Sequence, residues 1–190
     1  MSPRQRVVVA GGMGSGKSTV MATLSRLGWI VISGDDVGHE TLRDPEVVAS
    51  VTKRWPGVLV EGEISRSELA RVVFSDRSEL DVLEEITHPH IGARIGALVE
   101  EAPEPVAVEI SVLKVVKPRW GSLLIVHAPL HVRRQRALDR GMKPADIDAR
   151  LAMQPSDSEL LARADLVIDN QGAAVDLEAA VRQLDLWSRS

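Results

Sequence analysis

The sequence of 190 residues contains no cysteine, and its apolar runs are short. The absence of cysteine excludes disulfides, thiolate metal sites and cysteine nucleophiles, and it suits a reducing compartment. A membrane-spanning helix needs about 20 consecutive apolar residues. The first apolar stretch, VVVA at residues 7–10, is also too short for the core of a signal peptide. We therefore expect a cytoplasmic protein without a membrane partner.

An excess of positive charge is also missing. The chain has 23 Lys and Arg residues against 27 Asp and Glu residues, which gives a formal net charge of −4. This balance does not indicate a general nucleic-acid surface, so we expect a small-molecule substrate and no nucleic-acid partner. Apolar residues make up 44% of the chain, enough for a core. The length indicates one domain with an inserted subdomain, and nothing in the composition specifies an oligomeric state.

Five short apolar segments alternate with helical patterns. The segments are β-branched and do not alternate between apolar and polar residues, which is typical of buried parallel strands. Strands separated by helices predict an α/β fold with a five-stranded, doubly wound parallel sheet. Ligands of such sheets bind at the carboxyl ends of the strands. The predicted strands are residues 7–10, 29–33, 106–110, 122–128 and 164–169.

The predicted helices take up most of the remaining sequence. Asp44 and Pro45 are typical of a helix start, and Ser65 and Ser67 are candidate caps for a later helix. The segment WPGVLVEGEI between them is predicted to be a turn-rich connector. Helices are predicted at 16–27, from 45, at 68–74, at 77–86, from 88 to about 101, at 130–163 with breaks at Gly141 and Pro155, and at 175–187.

The segment GGMGSGKST, residues 11–19, fits the pattern G-x-x-x-x-G-K-[ST] of a phosphate-binding loop. Glycine permits positive φ angles and a close approach of the backbone to a ligand. The N–H groups of such a loop surround an anion at a helix N-terminus. Lys17 places a positive charge on the β- and γ-phosphates, and Ser18 offers a hydroxyl ligand to Mg²⁺. With a predicted strand before it and a helix after it, the motif predicts a site for ATP and Mg²⁺.

A phosphate-binding loop alone does not specify a reaction. The chain has no N-K-x-D motif, which reads guanine in GTPases. A small chain with this loop near its start, a helical middle and an arginine-rich late segment fits a small-molecule kinase best. Such an enzyme needs an acceptor base, a Mg²⁺ site and cations that neutralise the transferred phosphoryl group.

Acidic residues follow two of the predicted strands. The second strand ends at SGDD, and we expect its carboxyl end beside the phosphate-binding loop. Asp35 or Asp36 is then placed to take the proton of an acceptor hydroxyl; alternatively, the two aspartates cap the next helix. Glu109, near the end of the third strand, is placed to hold Mg²⁺ through water, or is a lone carboxylate at a strand end.

The segment HVRRQRALDRG supplies the candidate cations. Arg133, Arg136 and Arg140 lie three and four residues apart and share one helical face, whereas Arg134 lies off that face. Like charges on one face repel each other unless an anion lies among them, and a triphosphate is such an anion. The alternative is a solvated basic face paired with Asp139 or Asp146.

Six segments together resemble the dephospho-CoA kinase family over nearly the full chain. Their order and spacing make the likeness specific, although most of the segments are weak signals alone. The segments are GGMGSGKSTV, LGWIVISGDDVGHE, GEISRSELARVVF, LEEITHPHI, RALDRGMKPADIDARLAMQ and ADLVIDNQGA. The resemblance implies an adenylate-kinase-like fold that transfers the γ-phosphoryl group of ATP to the ribose 3′-hydroxyl of dephospho-CoA, giving coenzyme A and ADP.

The resemblance also implies roles for individual residues. Asp35 matches the family's presumed base, and Lys17 and Arg140 complete the implied catalytic set. The candidate metal ligands stay those of the loop motif and the strand end, Ser18 and, through water, Glu109. The implied ATP-phosphate ligands in the loop are Gly12, Met13, Gly14, Ser15, Gly16, Lys17, Ser18 and Thr19.

Further implied roles fall on later segments. Arg136 joins Arg140 in closing over the nucleotide, and Asn170 is implied to lie near the adenine. Arg66 and His88, with Asp35, are implied to bind the acceptor. Without the family resemblance, each residue has a simpler interpretation. Arg66 is then a surface residue near a turn, and His88 is a helix cap before a proline.

The resemblance predicts three parts within a single domain covering residues 1–190. The core covers about 4–44, 104–130 and 163–190, the helical acceptor-binding part about 45–103, and the lid about 131–162.

Departures from the family pattern concentrate in the acceptor half. Ser33 stands where the pattern has its first aspartate, and His39 where it has an arginine. The family's P-L-L-x-E after the third strand reads SVLKV, with Val115 at the glutamate and Lys114 beside it. Two alternatives therefore stay open: a kinase for another nucleotide-like alcohol, and a non-catalytic ATP-binding homologue.

Overall fold

The core of the protein is a five-stranded sheet in the order β2-β5-β1-β6-β7. The computed structural model describes residues 5–73, 75–103, 105–171 and 177–183. β1 pairs in parallel with β5 and β6, and β6 pairs in parallel with β7. The predicted α/β fold with a five-stranded parallel sheet is confirmed. The strands are β1 (Arg6–Ala10), β2 (Ile30–Ser33), β5 (Val106–Glu109), β6 (Ser122–His127) and β7 (Leu166–Asp169).

The three inner strands are buried on both faces, as their continuous apolar sequences require. Val8 in β1, Val108 in β5 and Leu124 in β6 all have no exposed surface. The edge strands are less buried, and Val31 and Val167 are 39% and 51% exposed. The predicted bounds of all five strands lie within two residues of the observed bounds.

Helix α1 (Lys17–Arg26) follows β1 after a six-residue loop and packs on the sheet through its apolar face. Val20, Met21 and Leu24 are buried there with residues of β1, β5 and β6. The helix ends before Gly28, whose φ of 89° is in the left-handed region that favours glycine. The predicted helix at 16–27 is confirmed.

The chain divides into two compact units, Met1–Ile32 with Glu101–Ser190, and Ser33–Glu100. The second unit has its own apolar core, formed by Val47, Val51, Trp55, Val58, Leu69 and Val73. Its helices and short strands are α2 (Gly34–Thr41), α3 (Pro45–Arg54), β3 (Leu59–Val60), β4 (Glu63–Ile64), α4 (Arg66–Val73) and α5 (Arg77–Glu101).

Two predicted helix caps in the second unit, Asp44 and Ser65, are confirmed. Asp44 is the N-cap of α3, and its Oδ1 accepts a hydrogen bond of 2.9 Å from the backbone N–H of Glu46. Pro45 occupies the first turn, where its missing N–H has no consequence. Ser65 Oγ accepts from the backbone N–H of Glu68 at 3.4 Å and so caps α4.

The prediction of two helices over residues 77–101 is wrong, because α5 runs through Pro89 without a break. Proline removes one intrahelical hydrogen bond and disfavours the helix interior. Packing on both sides outweighs this loss: Thr87 lies buried before the proline, and Ile95 and Val99 lie buried after it. His88 is consequently inside a helix and does not cap one.

The predicted connector WPGVLVEGEI contains a 3₁₀ turn (Pro56–Val58) and a small antiparallel hairpin of β3 and β4. Glu61 and Gly62 form its two-residue turn with φ angles of 51° and 88°, as the commonest hairpin turns require. Each strand has only two residues, so the sequence offers no alternation by which to find them.

The arginine-rich segment forms three short helices, α6 (Leu130–Asp139), α7 (Pro144–Ala152) and α8 (Asp157–Leu161). The predicted breaks at Gly141, with φ of 80°, and at Pro155 are confirmed. Ser156 and Glu159 form a capping box at the start of α8. A final helix covers residues 177–183, and the rest of the predicted 175–187 helix lies outside the described residues. None of the helices in the described ranges is both long and apolar enough to span a bilayer.

The buried sheet yields a prediction about stability. Replacing Leu124, which has no exposed surface in β6, by alanine should lower the free energy of unfolding by about 3–5 kcal/mol, because it removes buried apolar surface and leaves a cavity. Denaturant unfolding of the two proteins measures the difference. The matched control Leu130→Ala, at a side chain that is 52% exposed, should change it by less than about 1 kcal/mol. Equal effects of the two substitutions would contradict the placement of Leu124 in the core.

Candidate functional site

The glycine-rich segment forms a loop between β1 and α1, the context that the motif requires. Gly16 is the N-cap of α1, with φ of 107°, so the helix begins at Lys17. The Lys17 ammonium curls over the loop and donates to the carbonyl of Gly11 at 2.8 Å and to that of Gly12 at 3.5 Å. The loop therefore places one cation and a helix N-terminus at the same point, an arrangement suited to phosphate.

Neighbouring groups lie so close to the loop that side chains larger than glycine do not fit. A Cβ atom on Gly11 would be 2.3 Å from the carbonyl oxygen of Val126, and one on Gly16 would be 2.3 Å from Asn170 Nδ2. A Cβ on Gly14 would be 2.7 Å from the carbonyl oxygen of Arg133. Glycine is thus required here by close packing as well as by backbone conformation.

Asn170 braces the loop from the end of β7. Its side chain is buried, its Nδ2 donates to the Ser15 carbonyl at 2.7 Å, and its backbone N–H donates to the carbonyl of His127 at 2.7 Å. Arg136 donates to both the backbone carbonyl and Oδ1 of Asn170. The family resemblance implies a position for Asn170 near the adenine; the observed contacts are with the loop, and an adenine contact stays a prediction.

The predicted lid arginines differ in how they relate to the loop. Arg136 Nη1 donates to the Gly14 carbonyl at 3.3 Å, so this residue touches the loop directly. Arg140 is the C-cap of α6 and is exposed. Arg133 is only 6% exposed and makes an ion pair of 2.7 Å with Asp157.

The alternative of a solvated face paired with Asp139 or Asp146 is wrong for Arg133, which is buried and pairs with Asp157. Arg134, off the buried face as predicted, pairs with Asp148, and the hydrogen bond from Arg134 lowers the pKa of Asp148. Asp139 instead accepts from Gln135 at 2.8 Å. The actual partners come from α7 and α8, which the helical spacing of α6 alone does not reveal.

Sequence reasoning assigned no role to three residues around the loop. Gln154 Oε1 accepts from the Met13 backbone N–H at 2.9 Å. His127, at the end of β6, lies 3.3 Å from Asp169 and 3.7 Å from Asp157. Gln154 is the last residue of a segment that carried the family resemblance, and this was the available signal for it. The contacts of His127 and Asp157 left no signal in the sequence.

The carboxyl end of β5 lies beside the loop. Glu109 is half-buried and paired in register with Val9 of β1, two residues before the first loop residue, Gly11. Ser18 is exposed in the first turn of α1. The second strand, β2, was expected directly beside β1 and the loop. This expectation is wrong, since β5 lies between β1 and β2. The chain crosses from β1 to the edge of the sheet to form β2, and β5 later pairs with β1 in the position between them.

Helix α2 begins directly after β2, and its cap is Ser33. Ser33 Oγ accepts from the Asp36 backbone N–H at 3.2 Å. The interpretation of the two aspartates as caps is therefore wrong; Asp35 and Asp36 lie exposed in the first turn, where negative charge is favourable. Serine and aspartate are both good N-caps. The serine that stands at position 33 in place of the family's aspartate therefore preserves the N-cap of α2.

In the second unit, Arg66 is the first residue of α4, and its guanidinium lies 2.6 Å from His39 Nε2. Both residues line a pocket of about 560 Å³ together with Arg43 and Glu63. His88 is half-buried inside α5 and is not among the residues that line this pocket. The structure thus brings Arg66 together with His39, the residue at which the family pattern has an arginine.

The SVLKV segment after β5 turns inward where the family pattern carries a glutamate. Val115 is 4% exposed and Leu113 is 6% exposed, whereas Lys114 between them is exposed. Arg163 donates to the Leu113 carbonyl at 3.2 Å and ties this turn to the segment after α8. A buried valine replaces a carboxylate here, so the departure changes the chemistry of the turn.

Comparison with known proteins agrees with this geometry. The sequence profile of the dephospho-CoA kinase family matches residues 6–176. A dephospho-CoA kinase of Deinococcus radiodurans is 37% identical over 96% of this chain and 93% of its own. A crystal structure from Thermus thermophilus superimposes with a TM-score of 0.80 at 32% identity, over 96% of this chain and 97% of its own.

A solved dephospho-CoA kinase of Campylobacter jejuni shares the fold, with a TM-score of 0.67 at 24% identity over 97% of both chains. The family match spans the phosphate-binding loop, the helical second unit and the arginine-rich helices alike. Because this match and the 37% identical relative cover nearly the whole chain, the protein belongs to the dephospho-CoA kinase family.

Proposed function

We propose that this protein transfers the γ-phosphoryl group of ATP to the ribose 3′-hydroxyl of dephospho-CoA, giving coenzyme A and ADP. The observation that carries the proposal is the loop at residues 11–16, with Lys17 folded over it, inside a chain that matches the family over residues 6–176. The loop accounts for ATP, and family membership supports the acceptor.

The proposed chemistry needs few protein groups. The backbone N–H groups of residues 12–19 and the Lys17 ammonium bind the phosphates of ATP. Asp35 accepts the proton of the acceptor hydroxyl as its oxygen bonds to the γ-phosphorus, and the bond from that phosphorus to the β–γ bridging oxygen breaks to release ADP. Arg136 and Arg140 neutralise the charge on the transferred group and exclude water.

The donor set proposed for Mg²⁺ consists of oxygen ligands, which this hard cation prefers. Ser18 offers an exposed hydroxyl at the start of α1, and Glu109 offers a half-buried carboxylate at the end of β5, reached through water. When bound, the ion offsets the negative charge of the phosphates.

The remaining proposed roles follow the division of the sequence into parts. Residues of about 45–103 bind the acceptor, with Arg66 and His88 among the contacts, and residues of about 131–162 close over the nucleotide. Arg43 and Arg66 line the pocket of the second unit with a single carboxylate, that of Glu63, and this excess of positive charge supports an anionic acceptor.

One observation favours a different acceptor within the same class. Val115 is buried where the family pattern has a glutamate, so a carboxylate that would face the acceptor is missing. A nucleotide-like alcohol other than dephospho-CoA is the second candidate.

The experiment that separates these candidates uses Mg·ATP with a panel of dephospho-CoA, adenosine nucleotides and pantetheine derivatives. Mass spectrometry should show the gain of one phosphoryl group on dephospho-CoA. If only another compound of the panel is phosphorylated, that compound is the acceptor instead of dephospho-CoA. ATP binding without any product would identify a non-catalytic homologue.

Lys17→Ala should reduce turnover to background, since it removes the ammonium that binds the β- and γ-phosphates. The readout is ADP formation in the presence of the acceptor. Lys53→Ala, at an exposed lysine in the last turn of α3, is the matched control and should retain full turnover. Turnover of the Lys17 variant at the control's rate would remove the loop from the mechanism.

Asp35→Asn should lower kcat by about 10²-fold or more, the usual effect of losing a general base, while the Kd for ATP stays nearly constant. Steady-state kinetics and calorimetric ATP titration measure the two quantities. Asp36→Asn, one residue further in the same helical turn, is the control. A small effect at position 35 with a large effect at 36 would assign the base to Asp36.

A further inference from the structure

Arg133 is the most buried charged side chain around the phosphate-binding loop. It is 6% exposed, and arginine is rarely so buried unless it is paired. Its Nε donates to the Ala128 carbonyl at 3.0 Å, and its Nη2 donates to Asp157 Oδ1 at 2.7 Å. Two of its three nitrogen atoms are thus engaged in a fixed geometry before any ligand binds.

The third nitrogen of the guanidinium points at the loop. Nη1 lies 2.1 Å from the position that a Cβ atom on Gly12 would occupy. Nη1 makes no hydrogen bond with any of the described residues. It also keeps some contact with solvent, whereas Ser15 Oγ is fully buried without a partner. A buried, rigid cation therefore keeps one N–H donor open beside Gly12.

The Lys17 ammonium approaches the same glycine. Its Nζ is 2.8 Å from the carbonyl oxygen of Gly11 and 3.5 Å from that of Gly12. Lys17 Nζ and Arg133 Nη1 therefore both lie near Gly12, and an anion with two negative charges bound there can accept charge-assisted hydrogen bonds from both. The lysine of this motif reaches the β- and γ-phosphates of a nucleotide.

We infer that Arg133 is a fixed cation of the donor site, which binds the terminal phosphate of ATP together with Lys17, and that Asp157 is its positioning residue. The inference rests on the proposed function in taking ATP as the donor. It sets Arg133 apart from Arg136 and Arg140, which are proposed to act by closing of the lid segment. A guanidinium held in place beforehand loses little entropy on binding, so its hydrogen bonds to phosphate are strong.

Asp157 can position Arg133 because it is itself held in place. It is the first residue of α8, directly after the cap Ser156, and its second oxygen lies 3.7 Å from His127 Nε2. The carboxylate thus connects the end of β6 to the guanidinium.

The test measures nucleotide binding without an acceptor. Arg133→Gln and Arg133→Lys are titrated calorimetrically with Mg·ATP and with Mg·ADP, and Arg134→Gln is the matched control on the same helix, at a surface ion pair. One lost charge-assisted contact to the terminal phosphate should weaken ATP binding by about 10- to 100-fold. ADP binding should weaken by less than about 3-fold, and the control should bind both nucleotides as the wild type does.

The ratio of ATP to ADP affinity separates phosphate binding from a structural role. Equal losses for both nucleotides in Arg133→Gln, or no loss for either, would overturn the inference. If Arg133→Gln is unstable in thermal unfolding, Arg133→Lys serves as the deciding variant, because it keeps the charge but loses the forked geometry. Its preference for ATP over ADP should fall by about 3- to 10-fold. An unchanged preference would contradict the inference.

Asp157→Asn tests the positioning role. It should lower the preference for ATP over ADP by about 3-fold or more, and an unchanged preference would remove Asp157 from the site. These titrations contain no acceptor. A wild-type protein that fails to phosphorylate dephospho-CoA would therefore refute the proposed function and leave the result for Arg133 intact.

Discussion

The whole phosphate site depends on how closely the sheet and the late helices approach the glycine loop. Asn170 Nδ2 donates to the Ser15 carbonyl at 2.7 Å and lies where a side chain on Gly16 would have to be. The strand order β1-β6-β7 brings residue 170 behind the loop although it is 155 residues away in sequence. The loop is thus shaped by tertiary contacts, and its glycines follow from lack of room as much as from backbone angles.

The same contacts divide the cations of the site into two kinds. Arg133 is held by a carboxylate and a carbonyl and is fixed, whereas Arg140 is exposed at the end of its helix. Arg136 lies between these cases, with contacts to Gly14 and Asn170. In the proposed mechanism, the fixed cations bind the nucleotide first, and Arg140 completes the neutralisation of charge when the acceptor is present.

Local chemistry was enough to predict the parallel sheet, the phosphate-binding loop and the helix start at Asp44. It failed where tertiary packing decides: α5 continues through Pro89 because buried residues flank it, and the β3–β4 hairpin is too short to leave a pattern. The partners of the arginines were also out of reach, because Asp157 and Asp148 come from separate helices. The loop could be predicted from the sequence, and the family resemblance pointed to Arg136 and Asn170, whereas the roles of Gln154, His127 and Asp157 around the loop could not be predicted.

The most direct test of this account is a crystal structure of the protein with an unreactive ATP analogue. The account predicts that the phosphates lie among the backbone N–H groups of residues 12–19, with the hydrogen bond between Asn170 and Ser15 kept at about the same 2.7 Å length. Phosphates bound away from the loop, or a loop that rearranges and breaks that hydrogen bond, would contradict it.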